Sequence, residues 1–339
     1  MKFGVSDPAI PLTRAASVLR YTSLLQSLGA PVGRMLRCAG IPAELLNHPA
    51  AAVPLEIAFR FGELACRTLG TEHLGLHVGL ATSLDDLGPY GRILQQSLTV
   101  HDYLRKAISL YNMLTTGQRL WLSEHGEEMR LNIAAVGESD IARYQSQMET
   151  LVVTIGKLRE AAGRDWSPSE VSLAYRTRED VPDIDLFAGS RVLRGTGETY
   201  LSMPRAIMGL RFPCGGGIPE TDLESPAGRP LPEDLGGLVQ LQIESLLPCR
   251  PLQIDFVAET LAMSPRSLQR ALARHGLTYS QLLAETRMRK AAHWLENTDK
   301  PIAKIAFDLC YTDPSNFTRA FRLQTGVPPQ TFRDTARRT

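Results

Sequence analysis

The sequence predicts a multidomain chain: an α+β domain at the N-terminal end, then an all-α domain with two helix-turn-helix units. Three observations predict it. Residues 213–232 hold 5 Pro and 4 Gly and show neither helical nor strand periodicity, so they read as a linker. Ahead of them, apolar residues recur first at helical and then at alternating spacing. Behind them, the pattern is one of short helices alone, and it nearly repeats itself. A length of 339 residues is comfortable for two domains.

In the front domain, assigned to residues 10–212, three- and four-residue spacing predicts helices at 14–28, 54–69 and 100–114. Alternation at 119–124 and 129–135 flanks His125-Gly126-Glu127, which predicts a hairpin with Gly at the turn. A long amphipathic helix follows at 139–162, opened by Ser139-Asp140, and strand-like pieces lie at 171–175, 191–193 and 200–203. After the linker, helices are predicted at 237–247, 254–261, 265–274, 279–296, 302–309, 314–324 and 329–336. Start signals mark several: Ser264 before Pro265, Thr278, Asp313 before Pro314, and Pro328-Pro329. These belong to a second domain, 233–339, with motifs at about 252–275 and 301–325.

The repeat gives this tail its meaning. At an offset of 48, Ile254, Val257, Ala258 and Leu261 match Ile302, Ile305, Ala306 and Leu309. One inserted residue later, Ser264, Leu268, Arg270, Ala271 and Leu272 match Asp313, Phe317, Arg319, Ala320 and Phe321. Each copy reads as a short helix, a tight turn, a capped start and a second helix. The small Ala258 and Ala306 permit close crossing, while Ser264 and Asp313 can accept from orphan backbone N–H groups. The outward residues of each second helix are then free to meet base edges in a major groove. In the first copy these are Arg266, Ser267, Gln269 and Arg270; in the second, Ser315, Asn316 and Thr318, beside Pro314. Arg pairs well with guanine and Gln or Asn with adenine. Arg274, Arg319 and Arg322 are assigned to phosphates, which fix register without reading sequence.

Charge supports this division. From Arg250 onward there are 14 Lys+Arg against 8 Asp+Glu, although the whole chain carries only +1. A basic tail behind an acidic front fits double-stranded DNA as the partner of the tail. Other classes lack their signatures. No apolar run approaches a membrane span, and the start of the chain lacks a signal-peptide core. Five scattered cysteines suit a reducing, cytoplasmic setting. Neither G-x-S-x-G nor a phosphate loop occurs, and Gly215-Gly216-Gly217 precedes no helix. His73 and His77 have a metal-capable spacing but no third ligand; Asp85-Asp86 reads as a turn, and Cys310 as a small turn residue. The expectation is therefore a non-enzyme without metal or cofactor. Tyr111, Trp121, Tyr144, Trp166 and Tyr200 suit a pocket, but each is assigned to the core.

Residues 240–335 closely resemble the DNA-binding domain of AraC/XylS-type regulators. LAMSPRSLQRALARHG (261–276) looks like that family's first recognition unit, and IAKIAFDLCYTDPSNFTRAFRLQTGVPPQTFR (302–333) like its second. LGPYGRILQQSLTVHDYLRKAISLYNML (87–114) is similar to the sensor domain of the ornithine-utilization regulator type within the family. The resemblance implies an activator of promoter DNA that helps recruit RNA polymerase, acts as a homodimer and answers to a small-molecule effector. It names neither the effector nor its contact residues. The alternative is a front domain that serves only dimerisation or a protein contact. Family members often carry Gly where this chain has Ala262 and Cys310, which strains the turn if φ is positive there.

Overall fold

The computed structural model describes residues 10–213, 225–247 and 252–336. They fall into two compact units, residues 10–231 and residues from 232 onward.

The front unit is α+β. Strand β1 (Leu12–Arg14) pairs antiparallel with β2 (Ala52–Pro54), and helices α1 (Ala15–Ser27) and α2 (Val32–Ala39) lie between them in sequence. Helices α3 (Leu55–Leu69), α4 (Leu74–Ala81), α5 (Gly88–Gln95) and α6 (Val100–Ser109) follow. The larger sheet holds β3 (Gln118–His125), β4 (Glu128–Ala135), β5 (Glu170–Leu173), β6 (Arg191–Arg194) and β7 (Thr199–Pro204). Its spatial order is β3-β4-β7-β5-β6, antiparallel except between β5 and β6. Alternation sets the register: Met129, Leu131 and Ile133 of β4 all turn into the core.

Helix α7 (Asp140–Ala162) is the central rod of this unit. Ser139 caps it by accepting from the Ala142 N–H. Leu151, Ile155 and Leu158, at four- and three-residue spacing, are fully enclosed. The Gln147 amide ties the helix to the sheet: Nε2 donates to the Ile133 carbonyl at 3.3 Å, and Oε1 accepts from the Thr199 hydroxyl at 2.8 Å. On its other side α4 approaches closely at two glycines, against backbone at one and against a side chain at the other. A Cβ on Gly75 would stand 2.1 Å from the Gln145 carbonyl oxygen, and one on Gly79 would stand 2.8 Å from the Val152 Cβ.

Two expectations need correction, and one falls largely outside the described residues. The helix expected over 100–114 stops at Ser109, and a 3-10 turn at Tyr111–Met113 brings both of those side chains inside. Trp121, assigned to the core, is 39% exposed, because β3 is an edge strand and its inward position is taken by Leu120. Arg119 instead lies over the Trp121 ring, 5.9 Å from its centroid. Residues 214–224, the heart of the linker reading, lie outside the described residues. Residues 225–231 are held by the front unit: Leu231 N donates to Asn112 O at 2.9 Å, and Arg14 Nη2 donates to Arg229 O.

The second unit is helical throughout its described residues. It contains α8 (Leu235–Leu246), α9 (Ile254–Thr260), α10 (Pro265–Arg274), α11 (Tyr279–Asn297), α12 (Ile302–Asp308), α13 (Pro314–Thr325) and α14 (Pro329–Ala336). Asp234 caps α8, and Thr278 with Gln281 forms a capping box at α11. Phe317 packs on Phe321 at 5.7 Å between ring centroids, and Phe321 on Phe332 at 5.4 Å, which seats α13 against α14.

Candidate nucleic-acid interface and a front cavity

The two repeats fold alike down to single backbone bonds. In the first, Ala262 N donates to Glu259 O at 3.0 Å and Met263 N to Ala258 O at 2.9 Å. In the second, Cys310 N donates to Phe307 O at 2.9 Å and Tyr311 N to Ala306 O at 3.0 Å. The turn residue is left-handed in both, with φ +54° at Ala262 and +60° at Cys310. The positive φ anticipated from the missing glycines is therefore present, at a cost of roughly 1–2 kcal/mol each.

The repeated apolar positions form the core of each motif. Val257, Ala258, Leu268 and Leu272 are buried in one copy; Ile305, Ala306, Phe317 and Phe321 in the other. The caps hold as well. Ser264 Oγ accepts from Ser267 N at 3.1 Å and Asp313 Oδ1 from Ser315 N at 2.5 Å. That backbone bond holds the Asp313 carboxyl below its usual range.

With one face of α10 buried, the other presents Arg266, Gln269, Arg270 and Arg274 to solvent. On α13 the exposed set is Ser315, Asn316, Arg319 and Arg322. Ser267 and Thr318 are half-buried and already engaged: the Ser264 hydroxyl donates to Ser267 Oγ at 2.8 Å, and Thr318 donates to Pro314 O at 2.9 Å. Thr318 thus offers an incoming group only acceptor capacity and a methyl. Two features escaped the sequence reading. Arg287 of α11 stacks over Tyr311 at 5.1 Å, bracing the second turn, and Asp308 binds both Lys300 and Lys304. The Arg287 and Lys300 contacts carry no periodic signal, whereas Lys304 and Asp308 stand at i,i+4 and could have been paired from the sequence.

The weaker catalytic candidates resolve into structure. His73 is buried, with Nδ1 2.8 Å from the Tyr144 hydroxyl, whereas His77 is exposed, so the two rings do not converge. Among the described residues no group of three His, Cys, Asp or Glu is placed to hold a metal. Asp86 accepts from Ser83 N at 2.8 Å, and Asp85 from Gln95 Nε2 at 3.0 Å, which makes both turn residues. No helix among the described residues is long and apolar enough to cross a membrane.

The front unit also contains a partly open cavity of about 110 Å³, lined by residues of α1, α3, α6, α7 and β3 among others. Tyr111 lines it, whereas Trp121, Tyr144, Trp166 and Tyr200 do not. Its polar centre is an ion pair the sequence did not disclose. Arg20 donates to Glu149 Oε1 from Nε at 2.9 Å and from Nη2 at 2.7 Å, across 129 residues of chain.

Comparison with known proteins places these features. A family model described as the arabinose-binding domain of AraC transcription regulators, N-terminal, matches residues 29–212, and a helix-turn-helix domain model matches 257–335. An HTH-type transcriptional regulator of Mycobacterium tuberculosis is 37% identical over 320 residues, 90% of this chain and 91% of its own. The ornithine utilization regulator of Pseudomonas aeruginosa is 40% identical over 96 residues, 27% of this chain and 28% of that protein. The crystal structure of the transcriptional regulator CdpR from Pseudomonas aeruginosa covers 90% of this chain and 96% of its own, at 22% identity and a TM-score of 0.40. With both of its units matched, and a relative aligned over nine-tenths of each length, the chain belongs to the AraC family of DNA-binding transcription regulators, not to an enzyme family.

Proposed function

We propose that this regulator activates transcription at a specific promoter, with α10 and α13 reading adjacent major grooves. Arg266, Ser267, Gln269 and Arg270 are its first base-reading set; Ser315, Asn316 and Thr318 its second. Arg274, Arg319 and Arg322 hold phosphates. The observation that carries this reading is the exposed polar stripe on each capped second helix, opposite a buried apolar stripe. The first helix dominates specificity, since Pro314 brings no hydrogen-bonding side chain and Thr318 has spent its proton. Two unlike reading heads on one chain favour an asymmetric or direct-repeat operator.

The roles of the segments follow. Residues 10–212 sense an effector and dimerise, 213–232 connect, and 233–339 bind DNA. The protein works in the cytoplasm as a homodimer and recruits RNA polymerase. The effector acts by binding one conformational population better than another. Support comes from the match of the front unit to an arabinose-binding domain model and from its cavity.

Competition binding tests the DNA assignment. Once the operator is mapped, Gln269→Ala and Arg270→Ala should each lose about 1–3 kcal/mol of specific affinity while nonspecific affinity is nearly kept. Arg322→Ala should weaken both and lower the salt-dependence slope by about one. Equal losses for all three variants would remove the distinction between base-reading and phosphate-holding residues.

A further inference from the structure

We propose that the front cavity binds a small, uncharged, largely apolar molecule carrying one carbonyl-type acceptor, which the Arg20 and Gln118 side chains grip together. The inference rests on the reading that the front unit answers to an effector, and adds to it a site and a ligand class.

Two buried donors argue for the acceptor. Arg20 Nη1 and Gln118 Nε2 are both buried without a hydrogen-bond partner among the described residues. A buried unsatisfied donor costs roughly 1–3 kcal/mol, so two among the residues that line one cavity call for an explanation. Both belong to the cavity lining, and both are aimed by the same stretch of α7. Glu149 fixes the Arg20 guanidinium through Nε and Nη2, which leaves Nη1 over. The neighbouring Thr150 hydroxyl lies 3.0 Å from the Tyr111 hydroxyl, which donates to Gln118 Oε1 at 2.6 Å. That bond pins the Gln118 amide by its oxygen, so its nitrogen is the end left over.

Charge decides between a neutral acceptor and an anion. The ionisable lining groups are Arg20, Glu149 and four tyrosines, Tyr21, Tyr90, Tyr103 and Tyr111. Burial pushes all four phenols up, so they stay neutral. Arg20 is already neutralised by Glu149, with both side chains only 12% exposed. An added carboxylate or ammonium would bring an uncompensated charge into a pocket that sums to zero, at a desolvation cost that a neutral ligand avoids. A carbonyl oxygen accepts from both donors and brings no charge.

Size and shape complete the class. A cavity of about 110 Å³ is far above the roughly 10–15 Å³ that one water requires, and is in the range of a single ring. Apolar walls such as Phe61, Leu94 and Leu131 favour a hydrocarbon body. Gly62 of α3 also lines this space, and a Cβ built there meets nothing within 4 Å, which makes it a place to fill the cavity without disturbing the backbone.

The test titrates the full chain with benzamide, benzoate, benzylamine, toluene and arabinose by calorimetry. Gln118→Leu and Gly62→Leu variants are taken alongside. Benzamide should bind at least tenfold tighter than benzoate, benzylamine or toluene, and arabinose should not bind, because its hydroxyls outnumber the available partners. Gln118→Leu should reduce benzamide to the level of toluene while keeping toluene binding. Gly62→Leu should abolish binding of both with the melting temperature maintained. Tightest binding by benzoate, undiminished benzamide binding in Gly62→Leu, or no binding by any ring compound would overturn the proposal. A promoter reporter separates this from the broader reading. Output that still varies with growth medium in the Gly62→Leu strain moves the effector elsewhere and keeps effector control. Output that is constant in the wild type under every medium ends effector control itself.

Discussion

Replacing Ala262 with glycine should stabilise the DNA-binding unit, and the expected size follows from the turn. Ala262 is exposed and sits at φ +54°, where an L-residue is disfavoured by about 1–2 kcal/mol. Glycine removes that strain but adds freedom to the unfolded chain worth about 0.4–1 kcal/mol. The net gain is about 0.5–1 kcal/mol, which at a urea slope of roughly 2 kcal/mol/M raises the midpoint by about 0.25–0.5 M. The tail offers its own reporter, because Trp121 and Trp166 lie in the front unit and Trp294 alone lies beyond residue 232. In a Trp121→Phe, Trp166→Phe background, Trp294 fluorescence follows unfolding of the tail, with Lys300 stacked on its ring at 4.0 Å. Ala258→Gly is the matched control. Ala258 is fully buried inside α9, so it loses a methyl of about 0.8 kcal/mol and helix propensity of about 1 kcal/mol, and the midpoint falls by nearly 1 M. A drop for Ala262→Gly as large as that for Ala258→Gly would refute the strain argument.

Other expectations concern the front unit and the caps. Gly75→Ala should cost at least about 3 kcal/mol or leave the protein insoluble, since the new Cβ would stand 2.1 Å from a backbone oxygen; soluble expression with an unchanged melting temperature would count against it. Burial lowers the His73 pKa, with Glu179 opposing, so His73 contributes stability in full above about pH 6.5 and loses it as pH falls through the depressed folded value. Thermal midpoints from pH 7.5 to 5.5 should therefore fall less in His73→Gln than in the wild type. Ser264→Ala should lower the Trp294-reported stability by about 0.5–2 kcal/mol, checked by the same urea titration.

The DNA-binding tail was legible because its determinants are local. Ser264, Thr278 and Asp313 announce helix starts from the residue itself, and the 48-residue echo places Ala258 and Ala306 in equivalent crossings. Even the awkward turns could be anticipated, since Ala262 and Cys310 lack the glycine their conformation prefers. The front unit was harder for definable reasons. Strands β1 and β2 have three residues each, too few to alternate, and they meet across 38 or more positions of chain. Helix α4, LGLHVGLA, is apolar on nearly every side and therefore carries no stripe. Trp121 misled because hydrophobicity does not say which face of an edge strand meets solvent. The cavity was out of reach altogether: Arg20, Gln118 and Glu149 come from α1, β3 and α7, and nothing in their spacing brings them together.

The glycine contacts between α4 and α7 have a mechanical consequence. At Gly75 backbone meets backbone, at Gly79 the helix abuts the stiff β-branched Val152, and Gln147 stitches α7 to both β4 and β7. The rod is thus gripped from two directions on either side of Glu149 and Thr150, which opposes local bending there. To displace α7 at those residues without breaking these contacts, sheet and α4 would have to move with it.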